Sequence, residues 1–181
     1  MIDKVKERAD HYFSKLVEIR KHLHQHPELS FEENKTADFV FSTLKSVGLH
    51  PERMAKTGVV AMINEGHSGP VIALRADLDA LPIQEMNDVT YKSLNNGVMH
   101  ACGHDVHTAS LLGAAMILND LKADLSGSIK FIFQPGEEKL PGGASIMIKE
   151  GVLEKPKPAS IVGQHVFPEL EVGKVGFRSG M

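Results

Sequence analysis

The stretch VMHACGHDVHTASLLGAA (98–115) contains the only cysteine of the chain, two residues before a histidine. On a helix the side chains of Cys102 and His104 would diverge, but an extended turn at Gly103 lets both face one point. Thiolate sulfur and imidazole nitrogen are ligands of zinc and other late first-row metals. A helix is predicted to begin at about Asp105, and its N-terminus would favour the thiolate over the thiol.

The Cys-x-His pair alone is weak evidence for a metal, because an isolated cysteine commonly packs as a small apolar residue. Cys102 could also be a nucleophile paired with a histidine, although that reading leaves the glutamates described next without a task. A Cys-x-x-Cys redox motif is excluded, since the chain has one cysteine. His100 and His107 are interpreted as structural or supporting residues rather than as metal ligands.

Two adjacent glutamates follow an apolar stretch in FIFQPGEEKLPGG (131–143). Neighbouring residues after a strand point to different sides, so Glu137 and Glu138 can take separate tasks. One could bind a metal while the other accepts a proton from a water molecule, which is what metal-assisted hydrolysis requires. The alternative is a pair of exposed loop glutamates, and the tight Pro-Gly turns on either side argue against it.

Two further candidates stand at the ends of apolar stretches. His165 follows SIVGQ, and Asp77 ends PVIALRAD (70–77), with Asp79 two residues later. Ligands of α/β proteins gather at the carboxyl ends of strands, so these residues could be functional, although a solvated turn is the alternative. The sequence therefore predicts a metal site assembled by the fold, with four candidate ligands: Cys102, His104, Glu138 and His165.

The composition excludes several classes of protein. The 181 residues are 42% hydrophobic and carry a formal net charge of −3 without clustered lysines, so neither nucleic acid nor an anionic membrane is an expected partner. No apolar stretch approaches the roughly 18 to 20 residues of a membrane span, and the charged N-terminus lacks a signal-peptide core. A single cysteine suits a reducing cytoplasm.

The periodicity of the sequence predicts helices that alternate with strands. Residues 3–24 place Phe13 and Leu16 on one apolar face, and Ser30 with Glu33 matches a capping box that opens a second helix. Further helices are expected over about 105–121 and within 142–153. Strands are expected at 58–64, 70–77, 128–134, within 156–167 and within 170–180, and a hairpin or short loop is expected between the first two. This alternation predicts an α/β fold around a largely buried sheet.

Five motifs occur in an order that identifies a family. The chain resembles the N-acyl-amino-acid amidohydrolases, which include hippurate hydrolases, auxin-conjugate hydrolases and N-acetyldiaminopimelate deacetylases, a branch of the aminoacylase and carboxypeptidase metallopeptidases. The motifs that carry the resemblance are RKHLHQHPELSFEE, ALRADLDALPIQE, MHACGHDVHTASLLGAA, FIFQPGEEKLPGGASIMIKEGVL and QHVFPELEVGKVGFRSG.

The resemblance implies a three-layer α/β metallopeptidase domain with a central mixed sheet and two divalent metal ions, zinc or manganese, with nickel or cobalt as alternatives. It assigns Cys102 to the place of a bridging aspartate in sister branches and Glu137 to the general base. Asp77 lies where sister branches have His-x-Asp, but Arg75 replaces the histidine, so Asp77 is assigned a supporting role. The remaining implied metal ligands are His104, Glu138 and His165. Gly136 stands where alanine is common, a change from one small residue to another.

The resemblance also implies that residues 1–181 are only the N-terminal part of the catalytic domain, because members of the family are about twice as long. The lid and dimerisation domain, and the C-terminal part of the catalytic domain with the last metal-ligand histidine, would be absent. The expected activity of the whole protein is hydrolysis of N-acyl amino acids, as a homodimer joined through the lid. The alternative is a catalytically incomplete fragment that at most binds metal.

Overall fold

The apolar stretch SIKFIFQ forms the central strand of the sheet. In the computed structural model, which describes residues 1–177, this strand spans Ser128–Gln134, as predicted, and nearly all of it is buried. Phe131 and Phe133 point into one apolar core, and Ile132 points into a second core on the other side. A strand buried on both faces needs cover on both sides, which makes the fold a three-layer one.

The sheet has five strands in the order β1-β2-β4-β3-β5. Strands β2 and β4 pair antiparallel, whereas β3 lies parallel to both β4 and β5, so the sheet is mixed. A hairpin between β2 and β3 was expected as one alternative and is wrong, because β4 lies between them. The strand bounds are Glu52–Met54 for β1, Gly58–Ile63 for β2, Val71–Asp77 for β3, Ser128–Gln134 for β4 and Ser160–Gly163 for β5.

Helices cover both faces of this sheet. Three of them enclose the larger core, and the short fourth helix covers the opposite face through Met147, which lies beside Ile132. The helix bounds are Ile2–Gln25 for α1, Asn34–Ser46 for α2, His104–Asp120 for α3 and Gly143–Lys149 for α4, with a 3-10 turn at Lys122–Asp124. The predicted fold class, a three-layer α/β domain with a central mixed sheet, is therefore confirmed.

Helix α1 packs on α3 rather than on the sheet. The contact is close because Gly113 of α3 has no side chain, and a Cβ atom there would lie 2.6 Å from Cδ1 of Leu16. The buried face of α1 contains Ile19 and Leu23. Phe13, predicted on the inner face, is 66% exposed. The neighbouring residue Tyr12 packs against the core instead.

The second helix begins differently from the prediction. Its N-cap is Glu33, and no side chain caps it, so the predicted capping box is not formed. The Ser30 hydroxyl instead donates to Asp79, and the Glu33 carboxylate accepts hydrogen bonds from Thr57 and Gly136. The Ser-x-x-Glu spacing therefore identified two hydrogen-bonding residues, but both are used in tertiary contacts.

The C-terminal region contains less regular structure than predicted. The strand expected within 156–167 is β5, but no strand forms over 170–177. The rest of the predicted strand, residues 178–180, lies outside the described residues. Within residues 1–177, none of the helices has the length and hydropathy required to cross a membrane.

A buried ion cluster ties α1 to the first turn of α3. Nδ1 of His24 lies 2.7 Å from Oδ2 of Asp105, and its Nε2 lies 3.0 Å from Oε1 of Glu85. Both ring nitrogens face carboxylate oxygens, which suits the doubly protonated ring. The hydrogen bond to Asp105 raises the pKa of His24, against the opposing effect of burial, with further help from Glu85.

We expect His24→Gln to destabilise the protein most at acidic pH. Because the folded state raises the pKa of His24, its contribution is full below the unfolded value of about 6.5 and is lost as pH rises through the folded pKa. Removing one partner of a buried ion pair costs roughly 3–5 kcal/mol. Urea unfolding at pH 6 and pH 9 should show a larger loss of unfolding free energy at pH 6.

His22→Gln is the matched control on the same helix. Burial and the neighbouring His26 lower the pKa of His22. Its neutral form therefore stabilises the folded state, and this contribution falls as pH decreases through the unfolded pKa. An equal loss at both pH values for His24→Gln would contradict the assignment of a buried cation.

Candidate metal centre

The candidate residues converge because parallel strands end at one edge of the sheet. Asp77 is the last residue of β3, Glu137 and Glu138 follow the end of β4, and His165 follows β5. Helix α3 begins at this edge with His104, and its N-cap Gly103 has a φ of 85°. That left-handed turn, which glycine adopts without strain, sets Cys102 beside His104 as predicted.

The donor atoms of these residues lie close enough to share a metal ion. Within residues 1–177, three groups have all their ligand atoms within 4.8 Å of one another. His104 belongs to every group and is therefore the centre of the site. The groups are Cys102 with His104 and His165, His104 with Glu137 and Glu138, and Asp77 with His104 and His107.

His104 is held so that one nitrogen is free to bind. Its Nδ1 lies 2.8 Å from the backbone oxygen of Asp79, and because a carbonyl can only accept, Nδ1 carries the proton. The other nitrogen, Nε2, is buried without a hydrogen-bond partner and lies 3.9 Å from Oε1 of Glu138. Metal-binding histidines are typically oriented in this way, by a carbonyl or carboxylate on the second nitrogen.

His165 shows the same arrangement on the other side of the site. Its Nδ1 lies 2.7 Å from the backbone oxygen of Val166, so this nitrogen donates. Its Nε2 faces the site and lies 3.3 Å from Sγ of Cys102. The amide of Val166 in turn donates to Nε2 of His107, at 2.9 Å, which ties the segment carrying His165 to α3.

Cys102 is a thiol in the metal-free protein. Burial, the hydrogen bond to Glu138 and the negative charges of Glu138, Glu137 and Asp77 raise its pKa to about 11. The expectation that the start of α3 favours a thiolate is therefore wrong for the metal-free protein, because burial and the carboxylates together outweigh the helix N-terminus. A bound cation would reverse this balance, since it opposes the same negative charges.

Asp77 is buried next to these residues and lies close to three side chains. Its Oδ1 accepts a hydrogen bond of 2.5 Å from Nδ1 of His107, and its Oδ2 lies 2.7 Å from Nη1 of Arg75 and 3.8 Å from Nε2 of His104. Burial raises the pKa of Asp77, but the hydrogen bond from His107 and the nearby positive groups lower it overall. Both ring nitrogens of His107 are engaged, one by Asp77 and the other by Val166.

Asp79 has a larger part in the site than its sequence position indicated. Its Oδ2 accepts hydrogen bonds from the Ser30 hydroxyl at 2.6 Å and from the Glu138 amide at 3.0 Å. Its Oδ1 lies 3.3 Å from Nδ1 of His104. Burial raises the pKa of Asp79, but the hydrogen bonds from His104, Ser30 and the amides of Glu138 and Glu137 lower it to about 2.

The turn that carries the two glutamates has no room for a larger residue before them. Gly136 has a φ of 52°, and a Cβ atom there would lie 2.5 Å from ring atoms of Phe31. Replacing glycine by alanine is therefore not a neutral change in this chain, because the Phe31 ring would have to move. Glu137 and Glu138 are both exposed as whole residues, and the side chain of Glu138 is 24% exposed.

The donor set fits a divalent metal. It combines sulfur, imidazole nitrogen and carboxylate oxygen, a combination that suits zinc and neighbouring metals. Nε2 of His104 is a buried polar atom without a hydrogen-bond partner, and such atoms are uncommon unless something binds them. Both histidines of the site hold Nδ1 against a backbone carbonyl and direct Nε2 toward the other ligand atoms.

Comparison with known proteins identifies relatives of this chain. Residues 73–180 match the model of peptidase family M20/M25/M40. The chain is 48% identical to an N-acyl-L-amino acid amidohydrolase of Geobacillus stearothermophilus, over 98% of this chain and 48% of the relative. It is 44% identical to an N-acetylcysteine deacetylase of Bacillus subtilis, over 93% of this chain and 44% of the relative.

A solved structure is also similar over nearly the whole chain. It is a dinuclear metal-binding peptidase of the M20 family from Bacillus subtilis, 44% identical, with a TM-score of 0.88, covering 94% of this chain and 48% of that one. The chain thus spans about half the length of the relatives it matches. On the family match, the sequence identity and the shared fold, the chain belongs to peptidase family M20/M25/M40.

Proposed function

We propose that this chain is part of a metal-dependent amidohydrolase that cleaves N-acyl amino acids into a carboxylate and a free amino acid. The observation that carries the proposal is the pair of histidines, His104 and His165, whose protonated Nδ1 atoms are held by backbone carbonyls while Nε2 faces the site. Cys102, Glu137 and Glu138 each have a ligand atom within 4.8 Å of one of His104. The amidohydrolase and deacetylase activities named for the relatives support the reaction class.

In this proposal, two divalent ions, zinc or manganese, with nickel or cobalt as alternatives, bind at the centre. The residues of this chain that would hold them are Cys102 as a thiolate, His104, Glu138 and His165, and Asp77 would support His104 and His107. The similarity to a dinuclear metal-binding peptidase supports the number of ions. When bound, such ions polarise a substrate carbonyl and make a water molecule more acidic.

Glu137 is the proposed general base. It is exposed at the rim of the site, and its carboxylate belongs to the same close group as His104 and Glu138. The Glu137 carboxylate accepts a proton from water as the water oxygen attacks the amide carbon. The protonated carboxyl group then gives that proton to the amide nitrogen as the carbon–nitrogen bond breaks, so that no net proton is lost.

Several properties of the whole protein extend this proposal. We propose that residues 1–181 are the N-terminal part of the catalytic domain, with a lid domain and the rest of the catalytic domain elsewhere in a longer protein. The match to about half of each relative supports this division. We also propose that the whole protein forms a homodimer through the lid and that it is cytoplasmic. The alternative is that the chain alone is an incomplete fragment that binds metal without turnover.

We expect residues 1–181 loaded with zinc or manganese to hydrolyse N-acetyl amino acids and hippurate little or not at all. The relatives it matches are about twice as long, and part of their catalytic machinery is expected in the other half. The measurement is release of free amino acid under steady-state conditions. Sustained turnover by the purified chain would contradict the proposed division of the catalytic domain.

We expect the 181-residue chain to bind Co²⁺ with a thiolate-to-cobalt absorption band that is absent in Cys102→Ser. Because the pKa of Cys102 is about 11, binding must release a proton, and acid competes with the metal. The apparent affinity should therefore increase between pH 6 and pH 9, by about tenfold per pH unit for one released proton. A band of equal intensity in Cys102→Ser would remove Cys102 from the ligand set.

In the full-length gene product we expect Glu137→Gln to abolish turnover and to leave the metal content nearly unchanged. Glutamine cannot accept the proton from water, and Glu137 is not a proposed metal ligand. Glu138→Gln is the matched control on the adjacent residue and should lower the metal content. Loss of metal from Glu137→Gln, or surviving turnover, would show that the two roles are assigned wrongly.

A further inference from the structure

The motif ELSFEE (28–33) lies beside the metal centre without belonging to it. Its last residue, Glu33, is fully buried. One carboxylate oxygen, Oε2, accepts a hydrogen bond of 2.7 Å from the Thr57 hydroxyl, and the other, Oε1, accepts one of 2.7 Å from the Gly136 amide. The side chain does not cap α2, although Glu33 is the N-cap residue. The carboxylate therefore forms hydrogen bonds with the turn after β4 and with the residue before β2, and not with its own helix.

The position of the Gly136 amide affects the direction of the glutamate side chains, because the next residue is Glu137. The turn is held from three directions: Glu33 binds the Gly136 amide, Asp79 binds the Glu138 amide, and the Gly143 amide donates to the Gly136 carbonyl at 2.9 Å. Amides on both sides of Glu137 are thus bound by buried carboxylates. These bonds set the direction in which both glutamate side chains leave the turn.

The same motif contacts the turn a second time through Phe31. This residue has a φ of 66°, a left-handed conformation that is uncommon for a bulky residue. Its ring lies against Gly136, where it occupies the space that a Cβ atom would need. Such strain in the backbone persists only where surrounding contacts enforce it, and it is common beside functional sites.

Glu33 accepts these two hydrogen bonds with a buried carboxylate, and burying a carboxylate costs free energy. Burial raises the pKa of Glu33, and the hydrogen bonds from Thr57 and from the Gly136 amide oppose that rise. Transferring a charged group from water into the protein interior has a large free-energy cost, which its hydrogen-bond partners must offset. A wholly structural contact between α2 and β2 would not need a second oxygen directed at the turn that carries the glutamates.

We propose that Glu33 is a positioning residue for Glu137 and Glu138, and that it acts through the Gly136 amide. The inference rests on the proposed function, because it assumes that these glutamates serve a metal centre. Glu33 does not touch the substrate or the metal. Its contribution is to hold the backbone from which the base and a metal ligand project.

Three variants separate positioning from a general effect on stability. Glu33→Ala removes both hydrogen bonds, whereas Thr57→Val removes only the bond that does not reach the turn. Glu33→Gln retains both bonds, because its Oε1 can accept from the Gly136 amide while its Nε2 donates to the Thr57 hydroxyl. Glu33→Asp, which keeps the charge on a side chain that is one methylene shorter, replaces Glu33→Ala if that protein does not fold.

Two measurements on the 181-residue chain test the proposal. Hydrogen exchange of the Gly136 amide, followed by NMR without metal, reports the bond itself. Co²⁺ titration, followed by the thiolate absorption of Cys102, reports the metal centre. We expect Glu33→Ala to accelerate the exchange and to weaken Co²⁺ binding by about tenfold or more, as for other residues that orient metal ligands. Thr57→Val should leave both unchanged, and Glu33→Gln should retain most of both.

The outcomes distinguish this inference from the proposed function. An unchanged Gly136 exchange rate in Glu33→Ala, or equal effects of Thr57→Val and Glu33→Ala on Co²⁺ binding, would overturn the positioning role. If the unaltered chain fails to bind Co²⁺, the ligand set proposed for this chain is wrong. The Gly136 exchange rate then still decides whether Glu33 holds the turn, and an accelerated rate in Glu33→Ala alone supports it.

Discussion

The carboxylate of Asp79 joins the three segments from which the candidate metal centre is built. It accepts hydrogen bonds from Ser30 before α2 and from the amide of Glu138 after β4, and it lies beside Nδ1 of His104 at the start of α3. These contacts lower its pKa to about 2, so it keeps its charge across the physiological range. Without this anion, the glutamate turn and the segment before α2 would lose their common support, whereas the His104 ring would keep the backbone oxygen of Asp79 that orients it.

Negative charge accumulates around this support, and this charge favours the binding of a cation. Asp77, Asp79, Glu137 and Glu138 lie within one small region, and three of these four carboxylates help to raise the pKa of Cys102. The protein compensates part of this charge with Arg75, which pairs with Asp77, but Nε2 of His104 remains without a partner. The site thus fits a divalent metal, and the chain belongs to the M20/M25/M40 peptidase family.

Several features of the fold could be predicted from local sequence. The strand Ser128–Gln134 and the helix that follows Cys102 were predicted almost to the residue, because apolar runs and glycine turns are local signals. The predictions that failed depended on partners far along the chain. Ser30 and Glu33 have the spacing of a capping box, yet Asp79, Thr57 and Gly136 bind them instead. No local pattern could indicate that β4 enters between β2 and β3.

The sequence by itself determined which side chains are available for metal chemistry and that they stand at the ends of strands and the start of a helix. The order of its motifs also identified the family. Only the tertiary structure decided how these residues act together, because distances between segments depend on strand order and helix packing. It placed Asp79 and Glu33 behind the turn that carries the glutamates, and it left Cys102 a thiol in the absence of metal. Hydrogen bonds and charges act over a few ångströms, and the folded chain alone sets those separations.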